Sequence, residues 1–470
     1  VCLLAENGAS LEPLEETTFD LLFPGSREDG TYLFNLQATP DGRLTIMRMP
    51  RDQRSIEVVL VDPRSGDTHV VLHEDAVEGW LDPPTKLQFT GDAGFIWRSE
   101  RCGRYHAYHC DIQTGALRQL TDGDWDIASV VAASSEYAYF LAARPQPIHR
   151  TLWRVPLGGG EPELMGPGRG VTAAQFSPCT SWYVLGHSTL DQPPRFELRS
   201  SDGKTNICIE ENRRLCEAKW SWSAPQILSV PLGDRTHFAR LSLPPAKKRH
   251  AVFTSNYGGP GSQDVLDQWP SLLERFLVQE GFAVFSLDNR GTASRGRAWR
   301  KAPYLRLGVV ESEDQAAAAR WLSSQDWCDA DRIALFGWSY GGYMALTCAA
   351  NYPGLWRCVV SVAPVVDWHL YDSIYTERFM ALPSTNPDGY RQTSLLHRVE
   401  DLSASLLLVH GAGDDNVHVK HSMLLAEQLQ AKGKRFSMMV YPHLRHGLEA
   451  AREHVWQTIL DFVRRELALV

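Results

Sequence analysis

One serine in the chain is set up for nucleophilic work. In Gly337-Trp338-Ser339-Tyr340-Gly341-Gly342 the hydroxyl follows an apolar run at 333–336 that reads as a buried strand. An apolar segment of helical character, 343–350, comes next. Gly-x-Ser-x-Gly between a strand and a helix makes a sharp, strained turn that holds the serine up at the carboxyl edge of a sheet. The glycines are needed because strand and helix pass close together and side chains there would collide. The Tyr340 amide then stands at a helix start, ready to receive an oxyanion. A Gly-rich turn with a solvated serine is the plainer alternative; the flanking strand and helix argue against it.

A serine hydroxyl is weak until a neutral histidine takes its proton, and that histidine needs a carboxylate to hold the right tautomer. Both stand at the ends of other apolar runs. Run 405–409 leads into His410-Gly411-Ala412-Gly413-Asp414-Asp415-Asn416-Val417, and run 436–441 leads into Pro442-His443-Leu444-Arg445-His446-Gly447. The chain order Ser, Asp, His is the order α/β-hydrolases use. Asp414 and His446 are the candidates. Asp415 rivals Asp414 from the next position on the loop, where it faces another way. His443 rivals His446, which is favoured because Gly447 would allow a tight turn beside it. His410 reads as structural. Tyr257, in Asn256-Tyr257-Gly258-Gly259-Pro260, could give a second oxyanion hydrogen bond or simply pack in a Gly-Pro turn.

Those residues need a sheet beneath them. From about Cys216 onward strands and helices alternate: strands at 226–230, 238–243, 251–254, 282–287, 333–336, 358–362, 405–409 and 436–441, helices at 270–280, 313–323, 343–350 and 453–467. The first two strands read as an antiparallel lead, and Pro244-Pro245 with Lys247-Lys248-Arg249 as a surface turn. The rest predicts a mostly parallel, doubly wound sheet with helices on both faces. Sites in such sheets lie beyond the carboxyl ends of the strands.

The first half differs. Between Tyr32 and Leu215 no amphipathic helix stands out, and short alternating strands recur. Turn clusters at 62–66, 111–115, 156–160 and 201–203 fall about 45 residues apart, the period of a four-stranded propeller blade. A second set, at 39–42, 90–93 and 176–179, precedes an inner strand in each unit. About four blades are expected. Four blades leave two open sheet edges, so further blades upstream are expected to be missing from this sequence. His106 and His109 flank Tyr108 at strand spacing and read as surface or cross-strand residues rather than ligands.

The totals set limits. The 470 residues, 43% hydrophobic and 22% charged, fit a globular protein of more than one domain. A net charge of −9 argues against nucleic acid as the main partner. No apolar run approaches the roughly 18 residues of a membrane helix. The chain starts at Val1 without a basic-then-apolar leader, so a removed leader or a fragment is expected. Nine cysteines are scattered without metal-type spacing; Cys102 and Cys110 could pair across a hairpin, but reduced thiols are the expectation. No Asn-x-Ser/Thr sequon occurs, which favours a soluble cytoplasmic or periplasmic protein over a glycosylated secreted one.

Taken together, Gly-Trp-Ser339-Tyr-Gly-Gly-Tyr, His-Gly-x-x-Asp414-Asp-Asn-Val-His and His446-Gly resemble the prolyl oligopeptidase family of serine peptidases. The Asp-Asp-Asn-Val-His run and the segment Trp368-x-x-Tyr371-Asp-Ser-x-Tyr375-Thr-Glu-Arg378 resemble its dipeptidyl peptidase IV branch. The resemblance covers essentially the whole chain, more weakly over the blades. It implies an α/β-hydrolase domain at 216–470 behind an N-terminal all-β propeller, here about half a propeller, at 1–215. It implies release of N-terminal X-Pro or X-Ala dipeptides through an acyl-enzyme on Ser339, with no metal or organic cofactor.

By position, Tyr257 matches the family's oxyanion tyrosine. Val365, Trp368, Tyr371, Tyr375 and Val417 match the walls of the pocket for the penultimate residue, and Asn416 and Arg378 match residues near the substrate's backbone carbonyl. A compact aromatic box suits a proline ring and leaves little room for longer side chains. The expected partners are peptides with Pro or Ala in that position, and by analogy a second copy in a homodimer. The sequence departs from the branch in two places. The loop before Asp414 reads Gly411-Ala412-Gly413, and no segment matches the Glu pair that grips the substrate's amino group. Glu15-Glu16 lies in a different setting. A broader acyl-peptide hydrolase or esterase, or a non-catalytic binding protein, remain the alternatives.

Overall fold

The structure, a computed structural model, describes residues 30–217, 224–246 and 248–469. Glu15-Glu16 and Lys247 lie outside the described residues. The first half forms four antiparallel four-stranded sheets. They are β1–β4 (Thr31–Ala38, Leu44–Pro50, Ser55–Val61, Thr68–Asp75), β5–β8 (Gln88–Phe89, Gly94–Ser99, His106–Asp111, Leu117–Gln119), β9–β12 (Ile127–Ala133, Tyr137–Ala142, Thr151–Pro156, Glu163–Leu164) and β13–β16 (Val171–Phe176, Trp182–Ser188, Arg195–Ser200, Asn206–Glu210). These are the expected blades. The turn clusters at 62–66, 111–115, 156–160 and 201–203 each join a third strand to a fourth, and those at 39–42, 90–93 and 176–179 each join a first strand to a second.

Alternation along the strands sends every second side chain into the space between neighbouring sheets. Met47, Ile56 and Val58 meet Phe95, Trp97 and Tyr108 between the first two blades. Ile96 and Ala107 meet Ile127, Phe140 and Val155 between the next two. Leu152 meets Tyr183 and Leu185 between the last two. His106 is buried, not on the surface: its ring nitrogens bond Thr121 Oγ1 and the Gly123 carbonyl, both at 3.0 Å. His109 bonds Thr90 Oγ1 at 3.0 Å. Both act as cross-strand fasteners. Cys102 and Cys110 are free thiols, the first exposed and the second buried.

The second half is one sheet of eight strands, β17 (Gln226–Leu232), β18 (Arg235–Ser242), β19 (His250–Ser255), β20 (Ala283–Leu287), β21 (Cys328–Trp338), β22 (Cys358–Val362), β23 (Ser405–Gly411) and β24 (Ser437–Tyr441). Its order is β17-β18-β20-β19-β21-β22-β23-β24. β17 and β18 pair antiparallel, and from β20 to β24 every pairing is parallel. One core lies on each face. Helices Val309–Ser323, Tyr340–Asn351 and Lys420–Ala431 cover the first, and helices Leu272–Gln279 and Arg452–Glu466 cover the second.

The blades and the sheet are locked together. Trp80, in the link between the first two blades, is 1% exposed and sits in the core of the α/β half, edge-on to Phe379 at 4.9 Å. Arg300 and Lys301 of the α/β half both pair with the buried Glu100 of the second blade. Asp126 accepts the Gly296 amide at 2.7 Å. Buried ion pairs of this kind fix geometry more than they add stability. No helix among the described residues is long and apolar enough to cross a membrane.

Candidate active site

The Gly-x-Ser-x-Gly segment folds as the elbow the sequence predicts. Ser339 stands at φ 61°, ψ −119°, after the last residue of β21 and before helix Tyr340–Asn351. That conformation is costly for a residue with a side chain, so the surroundings must impose it. They do: the Ser339 amide donates to the Val362 carbonyl of β22 at 2.8 Å, and the helix closes on the Ser339 carbonyl through the Tyr343 amide at 3.0 Å. A Cβ on Gly337 would lie 1.9 Å from the Gly341 carbonyl oxygen, and one on Gly341 would lie 2.3 Å from that of Asn256. As the first residue of its helix, Tyr340 has an amide with no acceptor in a preceding turn.

Asp414 and His446 come together across the ends of β23 and β24. The His446 Nδ1 donates to Asp414 Oδ2 at 2.7 Å, which leaves Nε2 as the base. The other carboxylate oxygen accepts the amides of Asn416 at 3.0 Å and Val417 at 2.9 Å. Burial alone would raise the Asp414 carboxyl. Hydrogen bonds from His410 and His446 outweigh it and hold the group well below the usual carboxylate range. Asp415 points outward to Arg445 at 3.3 Å. His410 is wholly buried and bonds Ser422 Oγ at 2.7 Å and the Val417 carbonyl at 2.8 Å, a structural tie.

The tight turn expected beside His446 is present, closed by the Leu448 amide on the Arg445 carbonyl at 3.1 Å across His446 and Gly447. The left-handed residues are His443 at φ 63° and Leu448 at φ 50°, with Gly447 outside that region. A Cβ on Gly447 would collide with the Glu449 carboxylate, and one on Gly411 would stand 2.3 Å from the Leu444 carbonyl oxygen. The sequence also gave no sign that the Trp338 indole donates to the His446 carbonyl at 3.0 Å. That bond ties the histidine loop to the residue just before Ser339.

Tyr257 follows β19. Its amide donates to Asp264 Oδ2 at 3.0 Å, and the amides of Asp264 and Val265 donate to Asp288 Oδ1 at 2.8 and 3.1 Å. Burial, and then the neighbouring Asp264, push the Asp288 carboxyl up to about 8. The Tyr257 ring is 39% exposed and lies 5.9 Å from the Tyr340 ring.

The residues expected to wall a pocket gather beside Tyr340, whose ring lies 5.7 Å from that of Trp368. Trp368 stacks on Tyr375 at 6.1 Å and meets Tyr371 edge-on at 6.1 Å; Tyr371 and Tyr375 cross at 5.3 Å. Asp372 caps helix Ser373–Met380 by accepting the Tyr375 amide, which sets the direction of that ring. Val365 and Val417 are buried in the same core as Trp368. Asn416 Oδ1 accepts the Tyr371 hydroxyl at 2.6 Å, joining the pocket to the Asp414 loop.

Arg378 reaches a blade: its Nε donates to Gln53 Oε1 at 2.7 Å, and Gln53 Nε2 donates to the Ile374 carbonyl at 2.6 Å. Next to it, Arg51 pairs with Glu377 at 2.6 Å. Among the described residues no group of three or more His, Cys, Asp or Glu could hold a metal ion.

Comparisons with known proteins bear on the family of the chain. Residues 271–469 match the prolyl oligopeptidase family, and residues 12–194 match the dipeptidyl peptidase IV N-terminal region. The probable dipeptidyl peptidase 4 of Emericella nidulans is 31% identical over 83% of this chain and 54% of its own length. That of Aspergillus flavus is 31% identical over 82% and 53%. The chain thus spans about half the length of the curated relatives it matches. The crystal structure of Porphyromonas gingivalis dipeptidyl peptidase 4 superposes with a TM-score of 0.89 at 30% identity, covering 95% of this chain and 65% of that one. Both family matches, the relatives and the superposed structure point the same way, and the chain belongs to the prolyl oligopeptidase family, in its dipeptidyl peptidase IV-like part.

Proposed function

We propose that the chain is a serine peptidase that releases N-terminal dipeptides ending in proline or alanine. The observation that supports this most is the His446–Asp414 hydrogen bond on a loop that the Trp338 indole ties to the residue before the strained Ser339. Ser339 Oγ attacks the carbonyl carbon of the penultimate residue while His446 Nε2 takes the hydroxyl proton. The tetrahedral oxyanion is met by the Tyr340 amide and the Tyr257 phenol. Collapse breaks the peptide bond, and His446 gives its proton to the leaving amine. Water then attacks the acyl-enzyme with His446 as base, and Ser339 leaves with its proton restored.

The box of Trp368, Tyr371 and Tyr375 supports the choice of substrate. Its crossed rings would give a proline ring flat apolar walls to pack on, which a longer chain would use less well. The test is turnover of chromogenic Gly-Pro, Gly-Ala and Gly-Leu amides, each with a free and a blocked amino end. The proposal expects Gly-Pro to exceed Gly-Leu in kcat/KM by about 100-fold. Equal turnover of all three would replace it with a broad acyl-peptide hydrolase or esterase. Cleavage of blocked substrates as fast as free ones would leave the peptidase and remove the dipeptidyl preference.

A further inference from the structure

We propose that Glu311 is a positioning residue for Ser339 chemistry: by holding the Tyr340 phenol it fixes both the oxyanion amide of this tyrosine and the ring that backs Trp368 of the proposed pocket. The inference rests on the peptidase reading above. Tyr340 is the residue after the nucleophile, 3% exposed, with its ring 5.7 Å from Trp368, 5.6 Å from Tyr343 and 5.9 Å from Tyr257. Backbone and ring of Tyr340 therefore face the two halves of the site. Its ring has a polar anchor, the hydroxyl donating to Glu311 Oε1 at 2.8 Å. The neighbouring Tyr343 is anchored separately, through the Leu307 carbonyl at 2.7 Å.

Glu311 is an odd choice for a purely structural role. It is fully buried in the first turn of helix Val309–Ser323, and its Oε2 is buried without a hydrogen-bond partner. An apolar side chain would fill this space without the cost of an unmatched carboxyl oxygen. The helix N-terminus offsets part of that cost. The titratable groups around it are Tyr340, Tyr343 and Cys348 on the elbow helix, Tyr375 on helix Ser373–Met380 and Asp314 one turn on; none is a cation. Burial pushes its carboxyl up to about 7, so its charge changes near neutral pH. Ionised, it is the stronger acceptor for the Tyr340 hydroxyl.

The test measures how fast a fluorophosphonate reacts at Ser339, beside kcat and KM on a Gly-Pro amide. It compares the wild type with Glu311→Leu, Glu311→Gln, Tyr340→Phe and the Glu311→Gln/Tyr340→Phe double variant. Glu311→Leu should slow phosphonylation about tenfold and raise KM as the wall loosens. Glu311→Gln keeps an acceptor for the phenol and should recover most of the rate, with a pH profile that departs from the wild type's near neutral pH because the Glu311 contribution is gone while the base His446 remains. The double variant should be no slower than Tyr340→Phe alone.

Wild-type rates in Glu311→Leu, or losses that multiply in the double variant, would overturn the inference. If Glu311→Leu does not fold, the Glu311→Gln pH profile decides, and a curve that superimposes on the wild type's overturns it. A wild type that is phosphonylated but leaves Gly-Pro uncut defeats the substrate reading alone, since the labelling rates still decide the role of Glu311. A wild type that is not labelled defeats both.

Discussion

Around Ser339 a single added methyl group has nowhere to go, whereas in the blades it often meets nothing. Cβ atoms on Gly337, Gly341 and Gly411 would fall 1.9 to 2.3 Å from backbone carbonyl oxygens. Gly42, Gly103 and Gly203, in blade turns, have open space within 4 Å and are glycine because their φ lies between 74° and 96°. Around the triad glycine serves contact between distant backbone segments, and in these blade turns it serves local chain reversal; Gly94, whose Cβ would meet the Cys110 carbonyl oxygen, shows that a blade also uses the first device. The difference teaches where precision resides. The proposed triad draws on three strand ends brought together by the His446–Asp414 and Trp338–His446 hydrogen bonds, while each blade depends mainly on its own turns and on the apolar layer it shares with its neighbour. The last blade even leaves Trp182, Val184, Phe196, Ile207 and Ile209 exposed on one face.

Substitutions can break this contrast or sharpen it. Gly341→Ala should do the most damage, because the new methyl pushes on the backbone that carries Tyr257. Activity on a Gly-Pro amide is expected to fall by about 1000-fold or more. A variant with near-normal turnover would show that the elbow is not tightly packed. Tyr257→Phe removes one proposed oxyanion donor and keeps the ring, so kcat should drop about 100-fold with KM little changed. A rise in KM alone would instead make Tyr257 a packing residue.

Gln53→Ala tests the contact between the halves. It frees Arg378 and the Ile374 carbonyl together, and KM should rise about fivefold with a smaller change in kcat. No kinetic change would mean that the blade merely touches the pocket helix. Gly203→Ala should be the mildest: a loss of about 1 kcal/mol from the left-handed turn, seen in thermal unfolding, and unaltered kinetics. A kinetic defect there would erase the distinction between the two halves.

Much of this was legible in the sequence for one reason: local patterns report local structure. Blade turns at 62–66 and 111–115 announce themselves through Asp, Ser, Thr and Gly, and the elbow through its glycines and flanking apolar runs. The Asp414 and His446 loops were found because each follows an apolar strand. What stayed hidden depends on contacts without a periodic signal. Trp80 reads as one aromatic in a Pro-rich link, yet it packs in the α/β core against Phe379, nearly 300 residues later. Gln53 and Arg378, and Arg300 and Glu100, are ordinary polar residues until the fold pairs them. Glu311 sits near the start of an Ala-rich helix, where a charged residue usually faces water; here it faces Tyr340. The tight turn through His446 and Gly447 is local and could be expected from the glycine, whereas the meeting of Gly411 with the Leu444 carbonyl could not.

The most direct test of the central reading is to map where a fluorophosphonate attaches. Intact and peptide mass measurements on the treated chain should show one adduct, on Ser339. His446→Ala should slow its formation by at least about 100-fold. An adduct on another residue, or labelling that is indifferent to His446, would contradict a nucleophile activated by the His446–Asp414 pair.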